Sequence, residues 1–183
     1  LLVPFVVIGL IGVAGAGGLL LTQGYRMERI TVWLDPAASE KGHQTIQGLY
    51  AIGSGGLFGK GLGQSMQKLG FLPEANNDMI FSVICEELGL FGALCVLALF
   101  FALIWRFMVI AVNAPDLYGS MIVVGVIAHI GIQVFINIAV ATNTIPNTGI
   151  PLPFISYGGS SLVFMLLEMG LVLSVSRYIN VKK

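Results

Sequence analysis

The chain has 183 residues, 56% of them hydrophobic and only 10% charged, with a mean hydropathy of +0.92. A soluble globular domain averages about 25% charged residues, so that class is excluded and a membrane protein is indicated. Nine Lys plus Arg balance nine Asp plus Glu, and a zero net charge lacks the basic footprint that nucleic-acid binding needs.

A helix needs about 20 mostly apolar residues to cross roughly 30 Å of hydrocarbon. Leu1 to Tyr25 carries no formal charge and predicts a first span near 1–22, with Pro4 in a first turn, where a missing N–H is tolerated. The start at Leu1, with neither Met nor a basic n-region, argues against a signal peptide, and the expectation is a chain that begins inside a larger protein. Gln23 to Asp78 is far longer than an ordinary connection of about 4–6 residues and is therefore a candidate functional element. It opens with a charged rim of Arg26, Glu28, Arg29, Asp35, Glu40 and Lys41. His43 to Ile52 then places Ile46, Leu49 and Ile52 near one helical face and His43, Gln47 and Tyr50 on another, which predicts an interfacial or re-entrant helix. Gly53 to Gly63 reads GSGGLFGKGLG. It is not a Walker A loop, because position 54 is Ser and Lys60 precedes Gly61 instead of Ser or Thr, and a flexible or packing loop is favoured over a phosphate cradle.

A second span is predicted near 79–105, with Glu86 and Glu87 as its acidic residues, and a third near 118–142. Asn143, Pro146, Asn147, Pro151 and Pro153 interrupt the following stretch, so 143–161 is a turn before a fourth span near 162–179. In that turn Gly158 and Gly159 permit tight backbone, Gly158→Val is expected to misfold it, and Ser160 and Ser161 are expected as N-cap residues. The fold predicted is an all-α polytopic membrane helix bundle of four transmembrane helices with a long loop over 23–78. Cations divide four against five between the two sides of the membrane and leave the orientation open.

Polar residues inside spans face the bundle interior. His129, Gln133 and Asn137 recur every four residues and share one face of the third span. Gln133 and Asn137 read as interhelical hydrogen-bond glue, and His129 as a satisfied buried histidine. Glu168 has no obvious partner and reads as a neutral structural carboxyl. Cys85 and Cys95 lack metal-ligand or CxxC spacing and read as buried small apolar residues, and no metal site is predicted. Asn76, Asn77 and Asp78 all suit a helix N-cap before an apolar helix. By composition alone, capping outranks acid–base chemistry at Asp78.

Three stretches change that order: GLYAIGSGGLFGKGLGQSMQK, LPEANNDMIFSVICEELGLFG and QVFINIAVATNTIPNTGIPLPFISYGGSSL. Together they resemble the SEDS family (shape, elongation, division and sporulation), in its FtsW and SpoVE branch, from about Tyr25 to Tyr178. Family members are about twice this long, which implies that this is their C-terminal portion. The resemblance implies a peptidoglycan glycosyltransferase that polymerises lipid II during division or sporulation, beside a class B penicillin-binding protein. It also implies residence in the bacterial cytoplasmic membrane, with loop 23–78 and turn 143–161 outside and the C-terminus cytoplasmic.

The family's essential loop aspartate falls on Asp78, the implied catalytic base. Arg26, Arg29, Lys60 and Lys68, with Ser156 and Tyr157 of the turn, are the implied substrate-binding residues around a lipid diphosphate. The cofactor stays open: charge developing on the leaving diphosphate can be balanced by Arg, Lys or a divalent cation. The chain departs from the usual pattern at His43, Gly70, Asn77, Met79, His129 and Glu168. Two rival classes are a flippase or transporter of lipid-linked precursors, which a ladder of intramembrane charges would mark, and a non-catalytic partner of the penicillin-binding protein, which would tolerate loss of Asp78.

Overall fold

The computed structural model of the protein describes residues 24–38, 42–66 and 77–179. The predicted span at 1–22 lies outside them, and so does Lys68. Among the described residues there is no strand. The helices are α1 Gly24–Leu34, α2 His43–Ser54, α3 Ile80–Val112, α4 Leu117–Ala141 and α5 Gly159–Arg177, with a 3-10 turn at Pro36–Ala38. The chain divides into two compact units, residues 1–43 and 44–183. In the first, α1 closes with Asp35 N donating to Thr31 O at 3.0 Å.

In the second unit α3, α4 and α5 are each long and apolar enough to cross a membrane. They are apolar all round, as a helix surrounded by lipid and other helices must be. Their shared core is built from Phe100, Phe107, Val126, Ile130, Met165 and Val172. Leu99, Phe101, Trp105, Phe135 and Phe164 point outward and are exposed, a surface that suits lipid or further helices. The tight α3–α4 connection is fixed by polar groups at the helix ends: Asp116 caps α4 by accepting from Gly119 N at 3.1 Å, and Ser120 Oγ donates to Ala111 O at 2.8 Å.

The second predicted span is not one straight helix. At Gly89 the backbone turns to φ 67, ψ −166, a region that is essentially restricted to glycine. The Gly-rich stretch after α2 docks into this break. Lys60 N donates to Glu86 O at 2.9 Å and Gly61 N to Glu87 O at 3.0 Å, while Leu90 N donates to Gly56 O at 2.9 Å and Phe91 N to Leu57 O at 3.1 Å. Loop amides thus serve two carbonyls before the break, and loop carbonyls serve two amides after it, where a broken helix would otherwise leave them unpaired. A Cβ on Gly89 or Gly59 would overlap the backbone of the other segment. Residues 90–112 rise about 34 Å at 1.5 Å per residue, which is the length of one crossing. Glu86 and Glu87 therefore belong to the segment before the break, held by the loop, and not to the uninterrupted span.

A helix is present where 43–52 predicted one, and its buried residues belong to neither of the two faces named from the sequence. Thr45, Gly48 and Ala51 are its buried residues, while Leu49 and Tyr50 are exposed. A Cβ on Gly48 would press against Ser82 and Met79 of the α3 segment, so small residues let α2 lie close to α3, as in membrane helix pairs generally. Two smaller expectations also change. Cys85 is buried but Cys95 is exposed. The cap of α5 is Gly158, with no side-chain cap bond and with φ −180, so Ser160 and Ser161 lie inside the helix. That extended backbone is open to any residue, and a Cβ at position 158 meets Ser161 at an ordinary 3.5 Å. The backbone of the turn therefore does not require glycine at position 158, contrary to the expectation for Gly158→Val.

Candidate functional site

Asp78 is 8% exposed and sits one residue ahead of Met79, the N-cap position of α3, which makes no side-chain cap bond. Gln44, at the start of α2, donates from Nε2 to Asp78 Oδ1 at 3.4 Å, and Asn147 Nδ2 reaches Gln44 Oε1 at 3.4 Å. The main chain beside the carboxylate is held more firmly. Asn137 of α4 donates from Nδ2 to Asp78 O and to Ile150 O, each at 2.8 Å. Ser156 Oγ donates to Asn77 O at 2.5 Å and accepts from Leu152 N at 2.7 Å. The turn between α4 and α5 is thereby fastened to the two residues that open α3, and a carboxylate is set at their junction.

The turn's shape is its own. Asn143 and Phe154 are non-glycine residues with positive φ, 54 and 63, and for a bulky aromatic such as Phe154 that conformation is a genuine outlier. Ser156 and Tyr157 line a cleft of about 400 Å³ with Ile80, Phe154, Gly158 and Leu162. Ser156 links this cleft to the segment that carries Asp78, through its bond to Asn77 O. Tyr157 is 81% exposed, whereas Ser156 spends its hydroxyl on the turn.

The predicted cations are disposed differently. Arg26 and Arg29 lie on α1, in the first unit, and Lys68 is outside the described residues. Lys60 Nζ bonds Glu86 Oε1 at 2.7 Å, with the carboxylate 0% exposed and the lysine side chain 35%. Ser65 Oγ donates to Glu86 Oε2 at 2.6 Å. A fully buried carboxylate needs such partners, and stripping one member from a buried pair costs about 3–5 kcal/mol, here nearer the lower figure because Lys60 is partly solvated. Lys60→Met is therefore expected to lower the yield of folded full-length protein, and Lys60→Met with Glu86→Gln to restore it. Membrane levels and thermal unfolding in detergent check this; an unchanged melting point for Lys60→Met alone would show that the pair carries no structural load.

The intramembrane polar residues divide. Asn137 is buried at the site, but His129 and Glu168, expected to be a lone satisfied histidine and an unpartnered carboxyl, pair with each other at 2.7 Å between α4 and α5. Gln133 Oε1 and Glu168 Oε2 are buried without a partner among the described residues. Asn137 had read as glue between helices; its two donated bonds go instead to main-chain carbonyls of loop residues.

The protein-family model of the cell cycle proteins FtsW, RodA and SpoVE matches residues 1–181. Stage V sporulation protein E of Bacillus subtilis is 56% identical over 178 residues, covering 95% of this chain and 48% of that protein. A probable peptidoglycan glycosyltransferase FtsW of Coxiella burnetii is 45% identical, covering 94% of this chain and 48% of its own length. Among solved structures, a chain of a peptidoglycan synthase complex that coordinates polymerisation and crosslinking superposes with a TM-score of 0.71 at 28% identity, over 98% of this chain and 50% of the other. The rod shape determining protein RodA of Thermus thermophilus superposes at 0.55 with 38% identity, over 72% of this chain and 39% of its own. The chain spans about half the length of the curated relatives it matches. A match along nearly its whole length, together with three apolar helices arranged as in these structures, makes this chain a multi-pass membrane protein of the FtsW/RodA/SpoVE family.

Proposed function

We propose that the protein to which this chain belongs is a peptidoglycan glycosyltransferase that polymerises lipid II at the outer face of the bacterial cytoplasmic membrane, with the C-terminus cytoplasmic. The observation that carries this reading is the setting of Asp78: a carboxylate of slight exposure whose main chain is held by Asn137 and whose neighbour Asn77 is held by Ser156 of the cleft wall. Sugar transfer from a lipid diphosphate requires a base to take the proton of the attacking hydroxyl as the new C–O bond forms and the bond to the diphosphate breaks. Asp78 is assigned that proton. The cleft beside Tyr157 seats the lipid-linked sugar.

The leaving diphosphate needs positive charge. Arg26, Arg29 and Lys68 are assigned to it, while Lys60 is assigned to Glu86. A divalent cation is the alternative source of that charge; hard cations in such sites are held by one or two carboxylates plus the substrate's own phosphates. The partner proposed is a class B penicillin-binding protein, supported by the likeness to a chain of a synthase complex. The transport alternative has one intramembrane hydrogen-bonded pair among the described residues, His129 with Glu168, in its favour, and a single pair between two helices is not a ladder across the membrane.

The test is polymerisation of lipid II by the purified full-length protein with its class B partner; absence of glycan polymer under conditions where the complex is intact would overturn the reading. The 183-residue piece alone is expected to be inactive. The His129 side chain is 47% exposed on α4, and polar groups facing lipid are costly, so this face is expected to pack against further helices of the full-length protein. Robust polymer from the piece alone would contradict that.

A further inference from the structure

We propose that Asn137 is a positioning residue for Asp78, aiming its carboxylate through the main chain; the inference rests on the assignment of Asp78 as the base. Asp78 precedes an N-cap position that lacks a side-chain cap, so the direction of its side chain depends on how its own peptide is held. Asn137 holds it: 0% exposed, it directs both protons of one amide at Asp78 O and Ile150 O, 2.8 Å from each. A planar amide with both donors engaged fixes the distance and angle between those carbonyls as a hydroxyl could not.

The acceptor side of the same amide is informative. Asn137 Oδ1 is buried with no hydrogen-bond partner among the described residues, a costly arrangement for a residue whose role is cohesion alone. Reversing the amide would aim that oxygen at two carbonyl oxygens, so the observed orientation is imposed by the carbonyls it serves. Ser156 repeats the device one residue earlier, on Asn77 O. Together they tie the residues opening α3 to α4 and to the turn that lines the cleft, so the base and the cleft wall share one support.

The experiment uses the full-length protein in complex with its class B partner and lipid II as substrate, with rates expressed per folded complex. Asn137→Leu keeps the branching at Cγ with somewhat greater bulk and removes both donors; Asn137→Ser retains one donor and is read in the same way should the Leu variant not yield folded complex. For either, kcat is expected to fall about tenfold or more, within the roughly 100-fold that an ångström of misplacement can cost, while KM for lipid II stays within about twofold. Combined with Asp78→Glu, the losses should be less than multiplicative, because both act on one carboxylate. A loss confined to yield or to KM, or a multiplicative combination with Asp78→Glu, would overturn the positioning role. Asp78→Asn is the control that separates the premises: near wild-type polymer from it removes Asp78 from the mechanism, whereas an inactive Asp78→Asn beside a fully active Asn137→Leu refutes the positioning role alone.

Discussion

Replacing Asp78 by Asn in the full-length protein is expected to abolish glycan polymerisation while leaving the protein folded and bound to its partner. Asn preserves the shape of the side chain, can still accept from Gln44 Nε2 through Oδ1, and leaves the main-chain carbonyl that Asn137 holds untouched. What it loses is the capacity to take a proton at neutral pH, a contribution of about 100- to 10,000-fold when a positioned base acts in the transition state. Asp78→Ala should be equally inactive and slightly less stable, since it also vacates the contact with Gln44. A purely structural Asp78 gives the opposite ranking, with Asn close to wild type and Ala mildly defective. The N-cap position is Met79, so helix capping is not the structural alternative that Asn would mimic. Glycan polymer formed by purified complex carrying Asp78→Asn decides between them.

A charge-free stretch made α4 legible, and an apolar run broken only by Glu168 made α5 so: the spans expected near 118–142 and 162–179 are Leu117–Ala141 and Gly159–Arg177. Hydropathy reports length and polarity, and both helices are fixed by those alone. At α2 hydropathy marks a face, Ile46, Leu49 and Ile52, but does not say which residues pack on the neighbouring helix. Beside lipid the logic inverts: Leu49 can face outward, while Thr45, Gly48 and Ala51 face the neighbouring helix, where small size matters more than hydrophobicity. Asp78 was singled out by resemblance, since its local sequence favoured a cap. Asn137 was placed on the right helix face but its role was hidden, because its acceptors are backbone carbonyls of residues 59 and 13 positions away, and carbonyls carry no sequence signature. The His129–Glu168 pair was missed for a related reason, a separation of 39 residues that no periodicity spans.

The break at Gly89 was hidden most completely, and a substitution there is expected to be the most damaging to the fold. A lone glycine in an apolar run is compatible with a continuous helix at a cost of about 1 kcal/mol, and nothing in ELGLFG distinguishes that case from a break. Here φ 67 and ψ −166 lie in a region that costs a non-glycine residue about 1–3 kcal/mol. A Cβ would in addition strike the backbone of Leu57 and Gly59. Relieving that overlap means withdrawing the loop, with loss of the bonds from Lys60 N, Gly61 N, Leu90 N and Phe91 N, each worth about 1 kcal/mol net and more if its partner is left buried and unpaired. Withdrawal would also carry Lys60 and Ser65 away from the buried Glu86 carboxylate. Gly89→Ala should therefore destabilise the full-length protein by several kcal/mol, and Gly89→Val by more, since a β-branched residue fits positive φ least well. Gly125, whose Cβ would meet nothing within 4 Å, supplies the comparison: Gly125→Ala, on the exposed side of α4, should accumulate and melt as the parent protein does. Thermal unfolding of the purified variants in detergent reads the difference, and a Gly89→Ala protein that melts with Gly125→Ala would show that the docked loop does not hold the broken helix together.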